Sequence, residues 1–249
     1  MIKIDSLCKS FEKRNVLQDV SIEFEQGKTN LIIGRSGSGK TVLLKCLVGL
    51  LDIDAGEIFY DDRALTKLSI EDKRNLRKDI GMLFQGGALF DSMTVEENVI
   101  FPLSMFTNMT LEEKKDRANF CLSRVKLDNA HKLLPSEISG GMKKRVAIAR
   151  AIAPNPKYLF CDEPNSGLDP QTSIVIDQLI YDLTKELNIT TVIVTHDMNS
   201  VVEIGEKIAF IYNGQLWWEG TNDTVLTAKN KEIEDFIYAS ELMRKLKAK

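Results

Sequence analysis

The 249-residue chain has only two histidines, His131 and His196, and four cysteines, Cys8, Cys46, Cys121 and Cys161, none in C-x-x-C spacing. Those counts exclude a zinc-finger pattern and a disulfide-stapled fold, and the cysteines read as reduced core residues of a cytosolic protein. No apolar run approaches the ~20 residues needed to cross a bilayer. The N-terminus Met1-Ile2-Lys3-Ile4-Asp5 lacks the long apolar segment of a signal peptide. The chain is therefore expected not to span a membrane alone. Excess positive charge is also missing: 33 Lys and Arg stand against 36 Asp and Glu, a net charge of −3, so nucleic acid is not an expected partner. There is no low-complexity tract, heptad run or internal repeat. The length allows one large domain or a core with an inserted subdomain.

What is present is a phosphate cradle. Gly34-Arg35-Ser36-Gly37-Ser38-Gly39-Lys40-Thr41 spells G-x-x-x-x-G-K-[ST] directly after the apolar run Leu31-Ile32-Ile33. A strand delivers the chain into a loop whose glycines let backbone N–H groups converge on phosphate oxygens. A helix from about Lys40 to Leu50, with Val42 in its first turn, aims its positive end at the same anion. Lys40 is expected to reach the β- and γ-phosphates of ATP and the Thr41 hydroxyl to hold Mg²⁺. Only one such loop occurs, so a machine with two nucleotide sites needs a second chain.

The flanking pattern predicts a β-rich N-terminal layer, from Ile2/Ile4 and the alternation Val16-Leu17, Val20, Ile22, Phe24. Short strands are expected at Glu57–Tyr60 and at Ile80–Phe84, the latter ending at Gln85. From about Ser92 to Pro154 the period becomes helical, with a capping box at Thr110-Leu111-Glu112-Glu113. Strands return at Tyr158–Cys161 and Thr190–Thr195, separated by a helix from about Gln171 to Leu187. This alternation predicts a parallel sheet with phosphate chemistry at the strands' C-terminal ends. Ile208–Tyr212, Asn213-Gly214 and Gln215–Trp218 read as a hairpin. Alternating strand sides predict one core and one surface residue in Trp217-Trp218, and His131 is expected at the surface.

Two more motifs carry chemistry. The strand Tyr158–Cys161 ends in Asp162-Glu163, which suits a metal-organising Asp162 followed by a general base, Glu163, for an attacking water. Ser139-Gly140-Gly141 opens a helical run from Met142 to Ala153 and forms a second amide nest at a helix N-terminus. With one phosphate loop already in the chain, this nest is expected to bind the γ-phosphate held by another copy.

The order of phosphate loop, Gln85, Ser139-Gly140-Gly141-Met142-Lys143-Lys144-Arg145, Asp162-Glu163, Ser166-Gly167-Leu168-Asp169 and His196 resembles the ATPase subunit of an ABC transporter over nearly the whole chain. The resemblance implies an α/β fold: a P-loop NTPase core with a parallel sheet, an N-terminal antiparallel β layer and an inserted helical subdomain. The nucleotide-binding core would be 1–91 and 155–230, the helical subdomain 92–154 and a C-terminal helical tail 231–249. By the same likeness Gln85 touches Mg²⁺, Ser139, Gly140 and Gly141 complete the partner's site, and Asp169 crosses a dimer interface. His196 would contact the γ-phosphate and Phe11 would stack on adenine. The implied assembly is a head-to-tail dimer on the cytoplasmic face of the inner membrane, peripheral to a membrane permease.

Two positions depart from the common family pattern: Met142 stands where most members carry Gln, and Gly167 where many carry Ala. These, with Phe84–Val95 and Asn98–Leu103, are similar to the MlaF-like branch that powers MCE-associated phospholipid transport, which makes an MCE-domain protein an expected partner. Amino-acid and methionine importers share the frame from Thr94-Val95 to Pro102-Leu103 and form the alternative. A soluble ABC ATPase is disfavoured because neither long coiled-coil inserts nor a second core occur, and a non-hydrolysing regulator because Glu163 and His196 are intact. In the tail, Ile233, Phe236, Ile237, Met243 and Leu246 fall at helical spacing, with Arg244, Lys245, Lys247 and Lys249 at the end. Docking on its own domain, a dimer-stabilising arm and contact with anionic lipid are all open for it.

Overall fold

The computed structural model describes residues 1–12, 14–239 and 244. Met243, Leu246, Lys245, Lys247 and Lys249 of the expected tail helix lie outside the described residues.

The chain begins as β1 (Ile2–Phe11), β2 (Arg14–Phe24) and β3 (Thr29–Ile33), then forms α1 (Lys40–Leu47), β4 (Ala55–Tyr60), β5 (Arg63–Ala64), α2 (Ile70–Lys78) and β6 (Ile80–Leu83). Helices α3 (Val95–Phe106), α4 (Leu111–Arg124) and α5 (Gly140–Ile152) follow, then β7 (Tyr158–Asp162), α6 (Pro170–Leu187), β8 (Thr190–Thr195) and α7 (Met198–Ile204). The hairpin β9 (Lys207–Tyr212) and β10 (Gln215–Gly220) precedes α8 (Asn222–Val225) and α9 (Lys231–Ile237).

Two sheets form. One is antiparallel, in the order β2-β1-β4-β5, and the other has six strands in the order β10-β9-β3-β8-β7-β6. Within the larger sheet every pairing is parallel except β9 with β10. Strands β3, β7 and β8 are buried at every residue, which is why Leu31–Ile33, Tyr158–Cys161 and Val192–Val194 read as continuous apolar runs and not as alternating ones. Successive side chains leave on opposite faces. Leu31, Ile33, Leu159, Cys161 and Ile193 face a core shared with α3 to α6, while Ile32, Phe160, Val192 and Val194 face one shared with α1 and the antiparallel sheet. Helix α1 is thus clamped between the two sheets through Leu43, Leu44, Cys46 and Leu47.

Several boundaries differ from expectation for local reasons. Helix α1 ends at Leu47, not Leu50, because Gly49 turns the chain at φ +69° and its N–H donates to Cys46 O. Helix α2 had no periodic apolar signal, since Leu76 is its only buried residue, yet Ser69 Oγ caps it by accepting from Asp72 N at 3.1 Å. Helices α3 and α4 start with complete capping boxes, Thr94/Glu97 and Thr110/Glu113. A bulge near Trp217 leaves that ring exposed, donating to Glu232 Oε2 at 3.1 Å, while Trp218 is half-buried against the core. His131 is half-buried, and its carbonyl accepts from Glu96 N. Among the described residues no helix is long and apolar enough to cross a membrane.

Candidate functional site

The parallel strands set the site. The phosphate loop follows β3, His196 follows β8, Asp162-Glu163 end β7 and Gln85 follows β6, and these four strands are consecutive in the sheet. All therefore meet at one edge, outside the strands' C-terminal ends, where a phosphate ligand is expected in an open α/β sheet. A cleft of about 1050 Å³ opens there, lined by Gly34, Ser36, Gly37, Gly39, Lys40, Thr41, Val42, Gln85, Glu163 and His196 among others.

The loop's shape requires glycine at two positions. Gly34 has φ +151°, and a Cβ there would stand 2.3 Å from Ile211 O; Gly39 caps α1 at φ +108°, where a Cβ would stand 2.8 Å from Leu17 Cδ2. Lys40 is buried and its Nζ donates to the carbonyls of Gly34 and Arg35, at 2.9 and 3.1 Å, so the cation is held inside its own loop. Burial lowers its pKa, opposed by the charges of Glu163 and Asp162. Ser38 is buried behind the loop, its hydroxyl without a partner.

Asp162 is also buried and its Oδ1 is unpartnered. Burial first and the Glu163 charge second raise its pKa, while Lys45, the Thr41 hydroxyl and Lys40 oppose the rise. A buried carboxylate with a bare oxygen next to the Thr41 hydroxyl, with the Gln85 amide lining the same cleft as Thr41, offers hard oxygen donors that fit Mg²⁺. Among the described residues no three His, Cys, Asp or Glu side chains converge as a metal cage. Such a cation would complete its shell with substrate phosphates and water, the usual habit of Mg²⁺.

Glu163 adopts φ +49°, and its N–H donates to Val194 O at 2.9 Å, which fixes the backbone between the two strands. Its Oε2 stands 2.8 Å from His196 Nδ1. Gln85 Nε2 reaches Ser166 Oγ at 3.4 Å, joining the end of β6 to the loop after β7.

The remaining predicted residues lie apart from the cleft lining. Ser139 caps α5, its Oγ accepting from Met142 N at 3.3 Å, and Asp169 caps α6, accepting from Thr172 N at 3.0 Å. A Cβ on Gly141 would come within 2.6 Å of Thr172 Cγ2, so the first turns of α5 and α6 touch and Ser139, Gly140, Gly141 and Asp169 form a second patch. Phe11 is exposed at the end of β1 with Lys9 Nζ 5.4 Å from its ring, and its register partner is Arg14, which with Val16 lines the cleft.

Sequence reasoning gave no role to the cations of α5. Lys144 is only 5% exposed; its Nζ donates to the Gln85 carbonyl and, at 3.5 Å, to the Glu163 carbonyl. Arg150 donates to Ala88 O at 2.7 Å and Gly87 O at 2.8 Å. Together they tie the helix that begins at Ser139 to the loop after β6. Phe236, Ile237 and Ala239, in and just after α9, also reach the cleft.

The sequence profile of the ABC transporter family matches residues 17–166. Curated relatives include the methionine import ATP-binding protein MetN of Campylobacter jejuni, 39% identical over 259 residues that cover 98% of this chain and 77% of that protein. Another is the probable ribonucleotide transport ATP-binding protein mkl of Mycobacterium leprae, 35% identical over 236 residues, 95% of this chain and 68% of that protein. Among solved structures, the ATP-binding cassette MJ0796, a dimer in a post-hydrolysis state bound to ADP and Pi, superposes with a TM-score of 0.81 at 33% identity, over 89% of this chain and 99% of that one. The cbiO1 protein of Clostridium perfringens, part of the cbiONQ transporter complex, gives 0.85 at 27% identity over 99% of this chain and 98% of that one. With the phosphate loop, the Asp162-Glu163 strand end and His196 on one sheet edge, the chain belongs to the ATP-binding family of ABC transporters and is an ABC-type ATPase.

Proposed function

We propose that the chain is the ATP-hydrolysing subunit of a membrane transporter, working as a head-to-tail dimer at the cytoplasmic face of the cell membrane and attached there to a permease. The observation that carries this reading is the separation of the phosphate loop from the patch at the first turns of α5 and α6. Lys40 and the phosphate loop line the cleft, whereas Ser139, Gly140, Gly141 and Asp169 do not. A second copy turned head to tail would place its Ser139 patch over the first copy's γ-phosphate. The dimer described for MJ0796 supports an assembly of two copies. ATP bound completely only in the closed dimer has the differential affinity needed to drive a permease between two states. On this reading Gln85 and the segment Gly86 to Asn98 receive a permease helix, 92–154 is the helical subdomain, and 1–91 with 155–230 binds nucleotide.

In the chemical step a water oxygen attacks the γ-phosphorus as the bond to the β-phosphate oxygen breaks, leaving ADP and phosphate. Glu163 accepts the water's proton, His196 steadies the Glu163 carboxylate and touches the γ-phosphate, and Lys40 spans the β- and γ-phosphates. Thr41, Gln85 and Asp162 would hold Mg²⁺, which neutralises phosphate charge. Phe11 offers its ring to adenine.

The relatives favour a methionine-type amino acid as cargo, because MetN proteins align over 98% of the chain. A second reading, phospholipid carried with an MCE-domain partner, rests on Met142 and Gly167 and on the segments Phe84–Val95 and Asn98–Leu103; neither relative described above is named for lipid transport. Purification of the chain from its native membrane, with mass spectrometry of what accompanies it, separates the two. A solute-binding protein and bound methionine support import, and an MCE-domain protein with bound phospholipid supports the second reading. Recovery without any integral membrane protein would contradict the transporter assignment.

A further inference from the structure

Three side chains from separate elements meet in the interior close to the catalytic pair. Asn165 Nδ2 donates to Ser200 Oγ at 3.1 Å, and Ser200 Oγ donates to Asp177 Oδ2 at 2.7 Å. All three are buried: Asn165 is 9%, Ser200 1% and Asp177 4% exposed. Asn165 lies two residues after Glu163, and Ser200 lies four residues after His196 on α7. Asp177 sits on α6, whose N-cap is Asp169. One short chain of hydrogen bonds therefore joins the base-bearing loop, the segment that follows the imidazole and the helix capped by Asp169.

The arrangement is not a relaxed packing solution. Asp177 Oδ1 and Asn165 Oδ1 are both buried without a partner, and bare buried acceptors are costly to folding. A small cavity of about 150 Å³ beside Asp177 is also edged by Asp197, Asn199 and Glu203. An apolar residue on α6 would remove the unpaired charge, so the carboxylate's presence points to work in the active state.

We propose that Asp177 is a positioning residue for ATP hydrolysis: acting through Ser200 and Asn165, its carboxylate locks the Glu163 loop to the segment following His196, so that base and imidazole meet in productive geometry. The carboxylate touches neither nucleotide nor reacting atoms. Its hold depends on charge, because a hydrogen bond to a carboxylate is roughly twice as strong as one to a neutral acceptor. Burial pushes the Asp177 carboxyl up to about 6, the Ser200 and Asn165 hydrogen bonds oppose the rise, and Asp197 and Glu203 add to it. The Asp177 charge in turn adds to the rise that burial imposes on the Cys161 thiol of β7. The lock is thus charged at pH 8 and largely neutral at pH 5.5.

Steady-state ATP hydrolysis by the full-length chain, wild type and Asp177→Asn, tests this across pH 5.5 to 8. Other groups that titrate in both proteins cancel in the ratio of their kcat values. That ratio is expected to be about threefold or more at pH 8, from the loss of a charge-assisted bond, and to fall toward one at pH 5.5, with KM unchanged. Stability should move the opposite way. A buried acid whose folded pKa exceeds the unfolded value costs the fold stability as pH rises through that range, so Asp177→Asn should have the higher Tm at pH 8. Ser200→Ala, which cuts the same chain but keeps the carboxyl group itself, should reproduce the pH-dependent ratio if the Asn variant does not fold. A ratio flat with pH in the variant that folds, or a loss that falls on KM alone, would overturn the proposal.

Discussion

His196 Nδ1 lies 2.8 Å from Glu163 Oε2, and the contact follows from strand register. Asp162, the last residue of β7, pairs with Val194 of β8, so Glu163 leaves β7 level with Thr195, the last residue of β8, and His196 follows directly. Glu163 is mostly sheltered, its side chain 15% exposed, whereas His196 is 68% exposed at the cleft. A protected base and an accessible imidazole match the division of labour proposed here.

Glu163→Gln keeps the shape of the side chain and removes the base. Turnover should fall by about 10²–10⁴-fold, the usual worth of a positioned general base, while ATP binding persists and the closed dimer accumulates. Single-turnover hydrolysis and size analysis with ATP check both halves. Turnover near the wild-type rate would mean that another group takes the proton.

Lys40→Ala removes the cation held between the Gly34 and Arg35 carbonyls and the phosphates. A hydrogen bond to a charged group contributes ~1.5–3 kcal/mol, so ATP affinity should weaken by about 10- to 150-fold. Titration calorimetry with Mg²⁺ present reads this directly, and unchanged affinity would sink the phosphate-loop assignment.

Lys144→Met keeps the side chain's length and apolar stem but loses the donors to Gln85 O and Glu163 O. Nucleotide affinity should stay near wild type while kcat drops about 10- to 100-fold, because a small misplacement of the base is costly. Lys144→Arg, which keeps the charge and its donors, should restore part of the rate. A fall in affinity with kcat preserved would assign Lys144 to nucleotide binding instead.

Much of this was legible in the sequence because the buried centres of parallel strands leave apolar runs, and β3, β7 and β8 each lead into a chemically distinctive segment: the phosphate loop, Asp162-Glu163 and His196. The capping box at Thr110 marked the start of α4 in the same local way, and the structure adds a second one, Thr94/Glu97, at the start of α3. Helix α2 is hard to read because only two of its residues, Ile70 and Leu76, are apolar, too few for a periodic apolar pattern, and only Ser69-x-x-Asp72 marks its start. Lys144 and Arg150 escaped for a different reason: a run of basic residues on a helix ordinarily reads as a solvated face, and only the packing of α5 against the loop after β6 turns them inward. The chain Asn165–Ser200–Asp177 has no local signal at all, since its members come from three elements that meet only in the folded core.

The claim on which the account turns is that each site is shared between two copies, and mixing two inactive variants tests it. Ser139→Arg puts a bulky cation into the patch formed with Gly140, Gly141 and Asp169 and leaves the same chain's phosphate loop intact, while Lys40→Ala does the converse. In a head-to-tail dimer of the two, one site carries both lesions and the other carries neither. ATP hydrolysis measured against mixing ratio should rise from the baseline of either variant to a maximum near equal amounts and depend on total protein concentration. A rate that stays on the straight line between the two pure variants at every ratio, with no concentration dependence, would contradict the shared-site dimer.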